Sequence, residues 1–177
     1  MFKKVVLGLT LSLCLVTSAF SFDGKREGFI IGLGAGFHST NFEYAQDDVS
    51  KSGFATSLKI GYGFSETVTL YYVRNASWFK WNDNLHVNGM MGIGSTYYFS
   101  PRTRTFYLSG AVGFGDFADL DDDEAESGFG LMLGAGYELR KHIKLEANMI
   151  MSTIDLDYYY EDLKPTSFQL TINYLWY

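Results

Sequence analysis

The run DFADLDDDEAES, residues 116–127, contains residue types that could do chemistry, because Asp119, Asp121 and Asp123 alternate as ligands of a divalent cation would. A calcium loop of the EF-hand kind needs glycine at its sixth position and glutamate at its twelfth. Counted from Asp119, the chain has Glu124 and Gly130 there, so that geometry is excluded. What remains is a solvated acidic loop, or loose divalent binding at a surface. The solvated loop predicts that calcium leaves this stretch open to proteases.

Two histidines raise a second chemistry. His38 is followed by Ser39 and Thr40, and His86 lies much further along the chain. Acyl transfer by a serine–histidine–acid set needs three groups within hydrogen-bond reach. In a strand, neighbouring side chains point to opposite faces, so Ser39 turns away from His38 and only Thr40 shares its side. No convergent catalytic set follows, and a His38–His86 metal site would rest on two ligands.

Four further charges, Lys59, Glu138, Lys144 and Glu146, stand on faces otherwise made of glycine and small polar residues. Their meaning depends on the elements that carry them. In SGFGLMLGAGYEL, residues 127–139, one alternate set is Phe129, Leu131, Leu133, Ala135, Tyr137 and Leu139. The other is Gly128, Gly130, Met132, Gly134, Gly136 and Glu138. Period two of this kind marks a strand. It recurs over 28–38, 53–64, 67–78, 85–99, 105–115, 143–153 and 166–177, giving eight strands.

The chain opens MFKKVVLGLTLSLCLVTSAFSF, with two lysines, an apolar run and small residues at Ala19 and Ser21. Residues 1–21 read as a secretory signal peptide, its apolar core shorter than the ~20 residues of a spanning helix. Leu13 directly before Cys14 argues against lipidation, and cleavage would remove the only cysteine, leaving no thiol or disulfide chemistry. The barrel domain is then 22–177. Loss of Lys3 and Lys4 from 14 basic residues, against 20 acidic ones, takes the net charge from −6 to near −8, a poor match for nucleic acid.

Short joins (SET, SPRTR, RKH) alternate with longer ones, roughly Ser39–Ser52, Phe79–Asn84, Asp116–Glu126 and Ile154–Pro165. That is an up-and-down meander, and an even strand count lets the last strand close on the first. Closure is what hydrocarbon demands, because it satisfies no unpaired backbone group. An eight-stranded barrel has an interior just wide enough for side chains. Small residues therefore belong inside and bulky apolar ones against lipid. A soluble sandwich would need cover for eight greasy faces, and no helix is available to provide it. The expected fold is all-β: a closed, eight-stranded, antiparallel transmembrane β-barrel with a side-chain-filled lumen.

On these features, with the aromatic ending FQLTINYLWY, the chain resembles the small eight-stranded Gram-negative outer-membrane barrels of the OmpA/OmpX type. Trp176 stands in phase with the outward residues and Tyr177 one step past them. The resemblance implies the outer membrane, both termini periplasmic and the long loops extracellular. It also implies a monomer among outer-membrane lipids and lipopolysaccharide. Some such barrels modify lipid A, which keeps a lipid-modifying enzyme as an alternative beside a narrow pore.

Within that frame, charges in so narrow a lumen must pair. Glu138 is expected opposite Lys144 across the RKH hairpin, and Glu146 to reach Lys59 across the interior. Arg74 and Lys80 are expected at the outer rim, facing lipopolysaccharide phosphates, and the WFKW (78–81) and YYY (158–160) clusters to form interfacial girdles. Acidic loops among anionic lipids imply bridging divalent cations or a cationic surface partner. The favoured function is a non-enzymatic surface barrel, envelope-structural or adhesin-like, with no cofactor.

Overall fold

A computed structural model describes residues 24–44, 47–81, 83–120, 124–154 and 163–177. The signal segment 1–21 and the Tyr158–Tyr160 cluster lie outside the described residues. Eight antiparallel strands follow in order: β1 (Gly28–Tyr44), β2 (Asp47–Gly63), β3 (Val68–Trp81), β4 (Asn84–Tyr98), β5 (Phe106–Asp119), β6 (Glu124–Arg140), β7 (Ile143–Ile154) and β8 (Lys164–Trp176). Each pairs with the next, and β8 closes on β1 from Ile31↔Trp176 to Glu43↔Lys164. No helix of the described residues is long and apolar enough to cross a membrane.

The period-two pattern sorts the faces. Leu133 is 54% exposed and Phe129 61%, while Met132 and Glu138 on the other face of the same strand are at 0%. Phe37, Phe114 and Phe168 look outward on other strands; Ile30, Asn75, Ile150 and Ser167 look inward. Ala76 and Val87 keep the outward phase yet are covered, beside the Arg74 side chain that lies close over Gly89.

Glycine on the inner face is a requirement of packing. Gly92 and Gly113 are cross-strand partners on β4 and β5. A Cβ built on Gly92 would lie 2.2 Å from the Val112 carbonyl oxygen, and one on Gly113 2.1 Å from that of Met91. Both obstacles are backbone, so neither can swing aside, and the wall bends here only because side chains are missing.

Three of the long joins are shorter than expected, and most of the fourth, Ile154–Pro165, lies outside the described residues. Most of Ser39–Ser52 is strand, since β1 and β2 pair up to Tyr44↔Asp47. Residues 79–81 extend β3, and 116–119 and 124–126 extend β5 and β6. These segments continue the ladder beyond the outward apolar band, because hydrogen-bonded hairpins satisfy their backbone there. The barrel therefore carries a β-collar at its hairpin end.

Candidate functional site

The floor of the lumen is built around Arg26, which precedes β1 and is 2% exposed. Its Nε donates to Glu138 Oε2 at 3.1 Å, and its Nη1 donates to the carbonyls of Glu66 (2.7 Å) and Ser100 (3.2 Å). Nη2 donates to the Arg102 carbonyl at 2.9 Å, and the guanidinium stacks on Tyr98, 4.2 Å from its ring centre. One planar fork thus joins the β2–β3 turn, the β4–β5 turn and the end of β6. Burial works against its charge, but the hydrogen bond and charge of Glu138 outweigh it and raise the pKa.

Glu138 and Lys144 are direct cross-strand partners, as the hairpin implies. Lys144 Nζ nevertheless stands 3.9 Å from Glu138 Oε2, further than Arg26 does, and donates a short hydrogen bond to Tyr98 Oη. Arg26 was missed because its partners come from two distant turns and the end of β6, and its only sequence signal is a pair of cations just before the first strand. Beneath it Tyr177 turns inward, 2% exposed, while Trp176 faces out. Burial pushes the Tyr177 hydroxyl up to about 12, so it stays neutral.

Above the floor, Lys59 Nζ lies 2.7 and 2.6 Å from the two oxygens of Glu146. Tyr107 Oη (2.9 Å) and Asn148 Nδ2 (2.8 Å) donate to the same carboxylate. A buried ion pair persists only when its remaining valences are satisfied, and these partners satisfy them. The cavity bordered by Lys59, Tyr71, Tyr98, Lys144 and Glu146 holds only about 10 Å³, about a single water. Met90, Met132, Ile150 and Val73 form an apolar layer.

Near the hairpin end the two histidines separate. His38 Nε2 donates to the Trp78 carbonyl (3.2 Å), which leaves Nδ1 to accept from Thr40 Oγ1 (2.9 Å). Thr40 in turn meets Ser167 Oγ at 2.7 Å, and Asn88 Nδ2 donates to Ser167 at 2.9 Å. This is a closed polar chain with no carboxylate on the imidazole. His86 Nε2 lies 3.3 Å from Asp119 Oδ2, and Asn84 Nδ2 donates to that same oxygen. Phe79 packs against both imidazoles, at 5.8 Å from His38 and 5.9 Å from His86. Among the described residues, no three histidine, cysteine or acidic side chains gather as metal ligands. Asp121 and Asp123 lie outside the described residues.

The WFKW cluster is only half a girdle. Trp78 faces outward and donates to Thr56 Oγ1, but Phe79 and Trp81 turn inward and pack with Phe42 and Phe117 as an aromatic lid. The reason is parity: adjacent strand residues cannot share a face. Arg74, on the outward phase of β3, makes a two-pronged ion pair with Asp116, both contacts 2.6 Å. Lys80 is exposed on the same outward phase.

Among curated protein sequences none matches the chain. Among solved structures, Ail, the attachment invasion locus protein of Yersinia pestis, superposes with a TM-score of 0.53 at 17% identity, covering 85% of this chain and 99% of Ail. A second Ail structure, in complex with the heparin analogue sucrose octasulfate, gives 0.53 at 14%, covering 84% and 99%. Neisserial surface protein A gives 0.58 at 13%, covering 84% and 97%. These likenesses establish a shared fold. The model of the outer membrane protein β-barrel domain matches residues 7–175. The chain therefore belongs to the outer membrane protein β-barrel family, and its place is the cell outer membrane.

Proposed function

We propose that this protein is a non-enzymatic surface barrel that presents its hairpin collar outside the cell and keeps the short-turn end, with both termini, in the periplasm. The observation that carries this reading is the contrast between the two parts of the barrel. The lumen is filled from Arg26 to Phe42, with its described histidines committed to internal partners. The collar, by contrast, is built of hydrogen-bonded strand that continues past the apolar band. A filled lumen favours neither a pore nor a reaction chamber, so function falls to the collar and the rim.

The collar carries Glu43, Asp47, Asp48, Asp119, Glu124 and Glu126. That acidity fits a cationic partner or bridging divalent cations; the polyanion seen with Ail meets the opposite charge preference. At the rim, Lys80 is the cation best placed for lipopolysaccharide phosphate, because Arg74 is already paired with Asp116. Residues 1–21 act as the signal peptide and 22–177 as the barrel, a single copy sufficing to close the sheet.

The experiment labels Ser50→Cys and Arg104→Cys variants with a membrane-impermeant maleimide on intact cells, then measures attachment of cells with trimmed β1–β2 and β5–β6 hairpins. Labelling of Ser50→Cys alone, with attachment lost on trimming, is the expected result. Labelling of Arg104→Cys instead, or attachment indifferent to trimming, overturns it.

A further inference from the structure

Charge is sorted across the short-turn end of the barrel. The β4–β5 turn brings Arg102 and Arg104, and the β6–β7 turn brings Arg140, all three exposed. Strands β5 and β6 are neighbours there: Phe106 pairs with Tyr137, and the Glu138 amide donates to the Thr105 carbonyl at 3.0 Å. The ladder thus carries Arg104 and Arg140 to one stretch of the edge, just beyond its last bonds. Among the described residues none of the three guanidiniums pairs with an acid. The described acids of this end stand elsewhere. Glu27 directly precedes β1, Glu66 accepts from the Arg26 amide in the β2–β3 turn, and Glu138 is buried against the Arg26 guanidinium. Lys141, next to Arg140, leans back over Gly24. Arg104 sits at φ 61, in the left-handed region that favours glycine, so a bulky cation holds a turn position at a cost in backbone strain.

Beside these cations the outward face is aromatic and then hollow. Phe106 and Tyr137 pack with ring centres 4.7 Å apart, and Leu139 stands exposed next to them. Deeper in the apolar band, Ala135 and Ala147 are direct cross-strand partners on an outward phase otherwise made of large residues. The missing bulk leaves a groove of about 590 Å³ between Leu133, Met149, Phe168 and Leu170. Ile143, first in β7, pairs with Tyr174 near the end of β8, and Tyr174 pairs with Leu33, well inside β1. Partner rows therefore climb away from the short-turn end on going from β7 to β1. With strands tilted by about 35–45°, a line rising along the membrane normal from Arg140 crosses β7 and reaches Ala147 and Leu170.

We infer that this wall binds one anionic diacyl phospholipid of the inner leaflet, its phosphate held by Arg104 and Arg140 and an acyl chain laid in the groove at Ala135 and Ala147. This rests on the reading that the short-turn end is periplasmic, because that end then stands among phospholipid headgroups. The charge selects the headgroup: guanidiniums fork onto phosphate oxygens, and two unpaired ones favour a headgroup with no ammonium of its own. The groove selects the rest of the ligand, since a concave apolar surface is covered by the chain attached to that headgroup. Free phosphate would satisfy the arginines and leave the groove bare. Lipopolysaccharide belongs to the other leaflet.

The test is native mass spectrometry of the purified chain in detergent micelles, titrated with dioleoylphosphatidylglycerol or dioleoylphosphatidylcholine. One phosphatidylglycerol should bind about tenfold more tightly than phosphatidylcholine, the worth of one charge-assisted hydrogen bond. Arg104→Gly with Arg140→Gln should bring it down to the phosphatidylcholine level. The glycine relieves the turn's backbone, so a folding defect does not account for its share. Ala147→Leu should weaken both lipids alike, and Ile60→Phe, on the outward face of the opposite wall, neither. A parent-like preference in the double variant, indifference to Ala147→Leu, displacement of the lipid by glycerol 3-phosphate, or tighter capture of lipid A by the same arginines overturns the proposal. Because micelles carry no orientation, such a failure leaves the surface role standing. Labelling of Arg104→Cys on intact cells removes the surface role and, with it, the inner leaflet as the source, even where binding in micelles succeeds.

Discussion

Arg26 Nε and Glu138 Oε2 lie 3.1 Å apart in the floor of the barrel, joining a residue before the first strand to one near the end of the sixth. Both are almost wholly buried, and the same guanidinium holds three turn carbonyls. Breaking one partner of a buried pair costs about 3–5 kcal/mol because the other charge is stranded.

Arg26→Ala is therefore expected to destabilise the barrel by about 3 kcal/mol in urea unfolding from liposomes, with Lys144 taking up part of the charge on Glu138. Arg26→Lys should recover less than half, since an ammonium cannot fork between separate turns. The latch gathers acceptors that exist only once the turns are in place, so the loss should appear chiefly as faster unfolding. Equal stability of the alanine and lysine variants would show the fork to be irrelevant.

Lys59 and Glu146 give a cleaner cycle, because their oxygens and ammonium meet directly at 2.6–2.7 Å. Lys59→Met or Glu146→Leu alone should each cost about 3 kcal/mol, and the two together clearly less than their sum. Strict additivity in the same unfolding assay would refute the coupling.

Glycines on the wall should divide by what a Cβ meets. Gly113→Ala places carbon 2.1 Å from the Met91 carbonyl oxygen and should cripple assembly, read as loss of the heat-resistant folded band in gel electrophoresis. Gly110→Ala meets nothing nearer than 3.6 Å and should be neutral, or more stable by about 0.5 kcal/mol through the unfolded chain. The reverse ranking would mean that the wall does not bend where these contacts place the bend.

The Arg74–Asp116 pair predicts opposite effects of two polar substitutions. Asp116→Asn releases the Arg74 guanidinium from its two 2.6 Å contacts and should increase the lipopolysaccharide that co-purifies with the barrel. Lys80→Gln should reduce it. Unchanged lipid content in both variants would remove the rim from lipid recognition.

For the acidic run, calcium at millimolar concentration should leave cleavage between Asp119 and Glu124 unchanged, because the run lacks the glycine and glutamate that shape a calcium loop. Clear protection at micromolar calcium would contradict this.

The chain by itself determined which side of each strand meets lipid. Side-chain direction repeats every two residues, so Leu131 and Leu133 against Gly130 and Gly134 settle the face from local order alone. It also determined that Glu138 and Lys144 share a hairpin, since a short turn sets their register. Only the tertiary structure decided that Arg26 stands closer to Glu138 than Lys144 does, that Ser167 completes the His38–Thr40 chain, and that β2 outruns β3 above Trp78. Those outcomes depend on how eight strands stagger when the sheet closes, which joins residues tens to more than a hundred positions apart. Periodicity along one strand carries no information about that stagger. It is set by the barrel's closure, where every neighbour's tilt must be met at once.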